Sequence, residues 1–444
     1  MRRLALALIG GLMLAACGGE AERQSAPAPA AEPESQDPAA VEAALDSAGE
    51  RFVHLALALG EHDPNFVDAY HGPAEWAEAA KAASAPLADL KAEAEALIAM
   101  LDEVAVPNAR AAVLRKLTIA ALTRIEMAGG KTFDFDTETL SLYDAVAPGY
   151  DLAEFDAVLA DIDRLLPGEG TLADRVEAFR NSLAVPEDRL QAVFDAAIAE
   201  CRRRTLAHYA LPESERFRME FVTDKPWSGY NWYQGDYESL IEVNTDFPII
   251  IDRAVDLGCH EGYPGHHLWN VFIERDFLKK NGWIEYSVYP LYSPLSLIAE
   301  GSANYGIDLA FPGDEKIAFE RDVLFPLAGL DPAKAETLDR LNKARRKLSH
   351  ARNAVARDYL DGRIDRDTAI DLTMKYGLTS RERAEQSVRF VETYRGYVIN
   401  YNLGRDLVAA YVERAVAAGG DPWDAFRILL TSPVSASDLA PAGE

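Results

Sequence analysis

A proline-glycine pair cuts through the densest run of chemically active side chains in this sequence, Cys259-His260-Glu261-Gly262-Tyr263-Pro264-Gly265-His266-His267. Three of the eight histidines stand there beside a glutamate. Such density points to a metal, because neutral imidazole is a good ligand for Zn2+. A carboxylate directly after the first histidine is the order of His-Glu-x-x-His zinc hydrolases, in which both histidines share one helix face. Here the residue four positions after His260 is Pro264, which cannot ligate. His266 would be turned roughly 120° away in an unbroken helix. Pro264 removes a helical hydrogen bond and Gly265 has backbone angles closed to other residues, so together they can break the turn and swing His266 back beside His260. His267 is the rival ligand: it keeps the His260 face of a straight helix but sits about 10 Å along the axis. The proline favours His266.

A partner acid is expected farther on. Ser293-Pro294 reads as a helix start, with serine as cap and proline in the first turn. The helix that follows sets Leu297, Glu300, Asn304 and Asp308 near one face. Its apolar neighbours predict a buried Glu300, and buried carboxylates are seldom left unpaired. Glu300 is therefore the expected third ligand.

His260-Glu261-Gly262-Tyr263-Pro264-Gly265-His266, followed by Glu300-Gly301-Ser302-Ala303-Asn304-Tyr305, resembles the family called domain of unknown function 885. These bacterial proteins are regarded as zinc peptidases and are often lipoproteins. The resemblance runs from about Arg216 to Gly404, and the family usually carries Trp and Leu where this chain has Ser302 and Asn304. The family pattern varies just after the second histidine, which again favours His266 over His267. A family tyrosine matches Tyr401, three residues before a glycine that matches Gly404. A phenol near zinc can steady an oxyanion, with core packing as the other reading of Tyr401. His267 is a second candidate for that substrate contact.

At the N terminus, residues 1–16 carry two arginines and then an apolar run too short to span a membrane, which reads as a secretory signal. Leu14-Ala15-Ala16-Cys17 matches the bacterial lipoprotein box, so Cys17 is expected to be lipidated. Gly18 after it resembles the sorting pattern of outer-membrane lipoproteins. Residues 17–40 have too few large apolar groups to order themselves and read as a tether. The expected location is the cell envelope, anchored by lipid, at the outer membrane facing the periplasm.

The remaining residues can bury a large core. Residues 41–211 repeat apolar positions at three and four, as in Leu87, Leu90, Ala94, Leu97 and Leu101, and predict helices throughout. His54 reads as a packed histidine, and Cys201 as a small buried core residue on the stripe Leu190, Phe194, Ala197, Cys201; pairing with Cys259 is permitted but not argued by the spacing. Residues 212–444 form the expected catalytic part. Alternation at Phe217, Met219 and Phe221 and over 239–244, with a turn at Gln234-Gly235-Asp236, predicts a small antiparallel hairpin or sheet. The aromatics of this stretch, Tyr230 among them, either wall substrate pockets or pack the sheet on the bundle. Residues 247–259 are expected to run as a helix into the metal motif, and 282–294 to form a cleft loop. Arg345 and Arg352 fall within a helical stripe; such arginines can receive a peptide carboxylate, or can flank a buried seam of Ala344, Leu348, Ala351 and Val355.

The formal charge of −27 has no basic cluster to offset it, which excludes nucleic acid as a partner. The whole predicts a mostly α-helical, gluzincin-like bundle with a small sheet beside a zinc cleft. Zn2+ would sit on His260, His266 and Glu300, with Glu261 as general base and peptide as substrate. A metal-dependent esterase or amidase, and a lipoprotein that binds metal or peptide without turnover, are the alternatives.

Overall fold

The computed structural model describes residues 37–104, 107–225, 227 and 229–440. Cys17, the signal and most of the tether fall outside the described residues. Among those residues no helix is long and apolar enough to cross a membrane.

Helices dominate, as the three-four spacing predicts. The first, Pro38–Gly60, starts on Asp37, whose side chain accepts from the Ala39 amide. It packs Leu45, Phe52 and Leu59 against Leu90 and Leu97 of helix Leu87–Asp102 and Leu114 and Leu117 of helix Ala109–Ala128, all buried. One continuous cluster of buried side chains reaches from Leu45 to Leu439. The two parts expected at 41–211 and 212–444 thus share an interior. At its centre lies helix Pro294–Ala310, apolar on nearly every side. Helix Ile399–Ala417 lies directly against it, backbone to backbone at Gly301 and Gly404.

Strands enter where the helical reading did not expect them. Strand β1 (Val67–Tyr70) interrupts the N-terminal helices and pairs antiparallel with a strand at Val288–Pro290 inside the expected cleft loop. Three others form the sheet seen in the alternating stretch: β2 (Arg216–Val222), β3 (Gly229–Gly235) and β4 (Glu238–Asn244), in the order β2-β4-β3. The hairpin β3-β4 is antiparallel, as expected, but β2 runs parallel to β4, so the sheet is mixed. β4 lies in the middle, with β2 and β3 at the two edges. Ile241 and Val243 of β4 are buried on its inner face.

Of two smaller expectations, one is extended and one corrected. Cys201 is buried as its stripe requires, but it forms a disulfide with Cys259, Cα to Cα 5.6 Å. The stripe of helix Leu190–Leu206 faces the metal motif itself, with Gly258 tight against Ile198. His54 is exposed and leans its ring on Trp76 at 4.4 Å between centroids.

Candidate metal centre

The approach to the motif is not the continuous helix expected over 247–259. An α-helix holds only Arg253–Leu257, and the chain then widens into a π-helical turn over Gly258–Gly262. The Tyr263-Pro264 peptide is cis, and a new helix begins at His266. Gly265 passes so close to the preceding turn that a β-carbon there would overlap the His260 carbonyl oxygen at 1.8 Å. Only glycine fits. The result is a reversal that stands the imidazoles of His260 and His266 at right angles, centroids 4.7 Å apart.

Glu300 reaches them from the central helix. Its Oε2 lies 3.5 Å from His260 Nε2 and 3.8 Å from His266 Nε2. Both separations are too long for good hydrogen bonds. Oε2 is left buried with no hydrogen-bond partner, whereas Oε1 accepts a 3.0 Å bond from the Tyr397 hydroxyl. Donor atoms of the three residues lie within 4.8 Å of one another. A tetrahedral zinc ion with bonds of about 2.0–2.1 Å needs donors roughly 3.3 Å apart. Two imidazoles and an orphaned carboxylate oxygen at these separations fit such an ion.

The electrostatics agree with a shared charge. Burial works against ionised Glu300, but His260, His266 and the Tyr397 hydroxyl outweigh it and hold the carboxyl below its usual range. Burial likewise opposes charge on His260, yet Glu300 and Glu261 raise it above the ordinary imidazole value. His266 is pushed down by burial and by His260.

Around the three stand the groups that a reaction would use. Glu261 is buried and lines the same cavity, its side chain set against Gly229 of β3; a β-carbon on Gly229 would meet Glu261 Oε1 at 3.3 Å. Its backbone carbonyl accepts 2.8 Å from Asn231 Nδ2, fixing motif to strand. Tyr401 and Tyr230 both line the cavity. Tyr230 donates 2.6 Å to Asp68 of β1. Asp68 opens onto the cavity, but the walls close around it, so burial raises its carboxyl above the usual value against the pull of Tyr230 and His266.

His267 is elsewhere. It is fully buried, with Nδ1 2.8 Å from Ser239 Oγ and Nε2 2.9 Å from Glu215 Oε1. Glu215 also accepts from Tyr263 and, at 2.9 Å, from Arg202. His267 is therefore neither a ligand of this cluster nor a lining residue of the cavity, because the helix that starts at His266 turns consecutive side chains in different directions. It pins the motif to the sheet instead. Glu215, Asp68 and Tyr397 escaped the sequence reading. Only Tyr397 carried a signal, its place in the stripe Tyr394, Tyr397, Tyr401.

The cavity has a volume of about 1550 Å³ and runs between β3 and the helix Ala335–Leu360. No protein-family profile and no curated protein matches the chain. Among solved structures it is similar to a presumed lipoprotein from Colwellia psychrerythraea, with TM-score 0.49 and 15% identity over 80% of this chain. This chain spans 63% of the length of that protein. It is also similar to a presumed lipoprotein of unknown function from Shewanella oneidensis, with TM-score 0.45, 12% identity and coverage of 82% and 75% of the two chains. Metallocarboxypeptidase 1 of Trypanosoma cruzi overlaps it with TM-score 0.44 and 15% identity over 90% of this chain and 94% of that one.

Proposed function

We propose that this chain is a zinc-dependent metallopeptidase. The observation that carries the reading is Glu300 Oε2, a buried carboxylate oxygen with no donor of its own, set between two imidazole Nε2 atoms at 3.5 and 3.8 Å. His260, His266 and Glu300 would hold the ion, and three protein ligands are the set of a catalytic rather than a structural zinc. When bound, zinc supplies Lewis acidity for a carbonyl and lowers the pKa of water.

The protein groups divide the remaining work. Glu261 takes the proton of the attacking water and delivers it to the leaving amine, the two proton transfers that peptide hydrolysis needs. Tyr401 is the donor assigned to the oxyanion of the tetrahedral intermediate. Tyr397 holds Glu300 in place through Oε1. The edge strand β3 lies along the cavity, where an extended peptide can add its backbone to the sheet, with Tyr230 beside it. The volume also exceeds the roughly 300–1,000 Å³ of small-molecule pockets, as an extended ligand requires. Lipidation at Cys17 would keep the enzyme in the cell envelope, at the outer membrane in the reading of Gly18.

The test is zinc stoichiometry on the purified chain together with hydrolysis of a mixed peptide panel and matched esters. One zinc per chain, peptide cleavage, and loss of cleavage with retained zinc in Glu261→Gln are the expected results. An inactive wild type carrying zinc would leave a binding protein, and preference for the esters would leave an esterase.

A further inference from the structure

The cavity that holds the metal cluster has a cationic wall that hydrolysis itself does not need. Arg352, on the helix Ala335–Leu360, lines it. Its Nε is buried without a hydrogen-bond partner, and its guanidinium lies 4.9 Å over the Phe390 ring. No carboxylate among the described residues pairs with it. Arg345, two turns earlier on the same helix, lines the cavity too and makes no ion pair among them. Asp252 acts on it only from beyond ion-pair distance, being already shared by Arg180 at 3.4 Å and Asn342 at 2.7 Å.

A chain of charge −27 has carboxylates in surplus, so two half-buried arginines without one stand out. Burial, and then the neighbouring arginines, push Arg345 down to about 10. Burial likewise lowers Arg352, with Tyr401 as its one opposing neighbour. Guanidinium stays charged regardless, and a buried charge without a counterion is costly. An anionic ligand removes that cost.

Position says which anion. The Tyr401 ring lies 6.4 Å from Phe390, the ring that Arg352 covers, and 5.7 Å from Tyr397, whose hydroxyl bonds Glu300, and all of these side chains line the one cavity. An anion on Arg352 is thus one tyrosine away from the reacting groups. Building on the peptidase reading above, we infer that Arg352, with Arg345 behind it, receives the C-terminal carboxylate of a peptide, so that the bond offered to Glu261 is the one nearest the chain end. The guanidinium fork matches a carboxylate bidentately.

Binding without turnover tests this. An acetylated tripeptide, its C-terminal amide, and an amide with an internal glutamate are titrated calorimetrically into Glu261→Gln protein, and the set is repeated with Arg352→Gln, Arg352→Lys and Arg345→Gln. The free acid should bind roughly 10- to 100-fold tighter than the amide. Arg352→Gln should erase that ratio, Arg352→Lys should restore part of it, and Arg345→Gln should shrink it. Equal binding of acid and amide in the parent protein, which needs no folded arginine variant, overturns the inference. So does an acid preference that survives Arg352→Gln, or an internal glutamate that substitutes for the free terminus. Absence of zinc or of any hydrolysis would instead defeat the peptidase reading, and the ratio is read without either.

Discussion

A β-carbon on Gly301 would stand 2.5 Å from the carbonyl carbon of Gly404. The two glycines let the helices that carry Glu300 and Tyr401 touch backbone to backbone, and Asn304 Nδ2 seals the contact by donating to the carbonyls of Glu300 at 2.9 Å and Tyr401 at 3.3 Å. Neither helix has a side chain that can yield there. Gly301→Ala should cost about 1–3 kcal/mol in denaturant unfolding and move Tyr397 off Glu300. Unchanged stability and unchanged zinc affinity would show that the helices can separate freely.

The proposed ligands and the proposed base should separate by metal content. His266→Ala and Glu300→Ala should each lose the bound zinc in equilibrium dialysis, whereas Glu261→Gln should keep it and lose roughly 10²- to 10⁴-fold in kcat. Chelation of the wild type should abolish hydrolysis, and added zinc should restore it. Zinc bound normally by Glu300→Ala would remove that residue from the ligand set.

The Tyr397 hydroxyl bonds Glu300 Oε1, while its ring packs against Tyr143 and Tyr401. Outer hydrogen bonds of this kind are worth about 10- to 100-fold in metal affinity. Tyr397→Phe should weaken zinc by that order in a competition titration with a chromophoric chelator, at little cost in folding.

The network behind the motif sets an acid limit. Burial opposes ionisation of Glu215, but bonds from His267, Tyr263 and Arg202 prevail and bring its pKa from 4.5 to about 2. A depressed carboxyl contributes its stability above its unfolded value and loses it as pH falls toward the folded one. That contribution is about 3 kcal/mol, fully present above pH ~5 and fading between about 4.5 and about 2. Thermal melts across this window should be steeper in pH for the wild type than for Glu215→Gln; parallel curves would sink the assignment.

The disulfide closes a separation of 58 residues next to a proposed ligand. Loop entropy puts its worth at about 4 kcal/mol at most. Cys201→Ser should lower the melting temperature and also loosen zinc, because Cys259 precedes His260 in the π-helical turn. Loss of stability with zinc affinity untouched would make the bond a staple only.

Legibility followed how local each cause is. The interruption at Pro264-Gly265 could be read because proline and glycine act on their own backbone, and it does bring His266 rather than His267 beside His260. Glu300 was legible from its apolar neighbours on one helix. The π-helical turn was not, since nothing in Gly258-Cys259 distinguishes it from an α-turn. Asp68 was invisible for a different reason: its place depends on pairing of Val67–Tyr70 with Val288–Pro290, a contact no local pattern encodes. Cys201 was read correctly as buried, but burial does not say which face of the motif it would meet.

That same pairing of β1 with a strand near residue 290 has a temporal meaning. Asp68 on β1 accepts from Tyr230 of the other sheet, the motif follows, and Tyr397 and Tyr401 come last, so the cleft is stitched from segments spread over most of the polypeptide. Contacts so distant in sequence form late. A ribosome-bound or truncated chain ending before the last tyrosines holds the histidines without their full surroundings, so the proposed centre is complete only after the chain has been made past Tyr401.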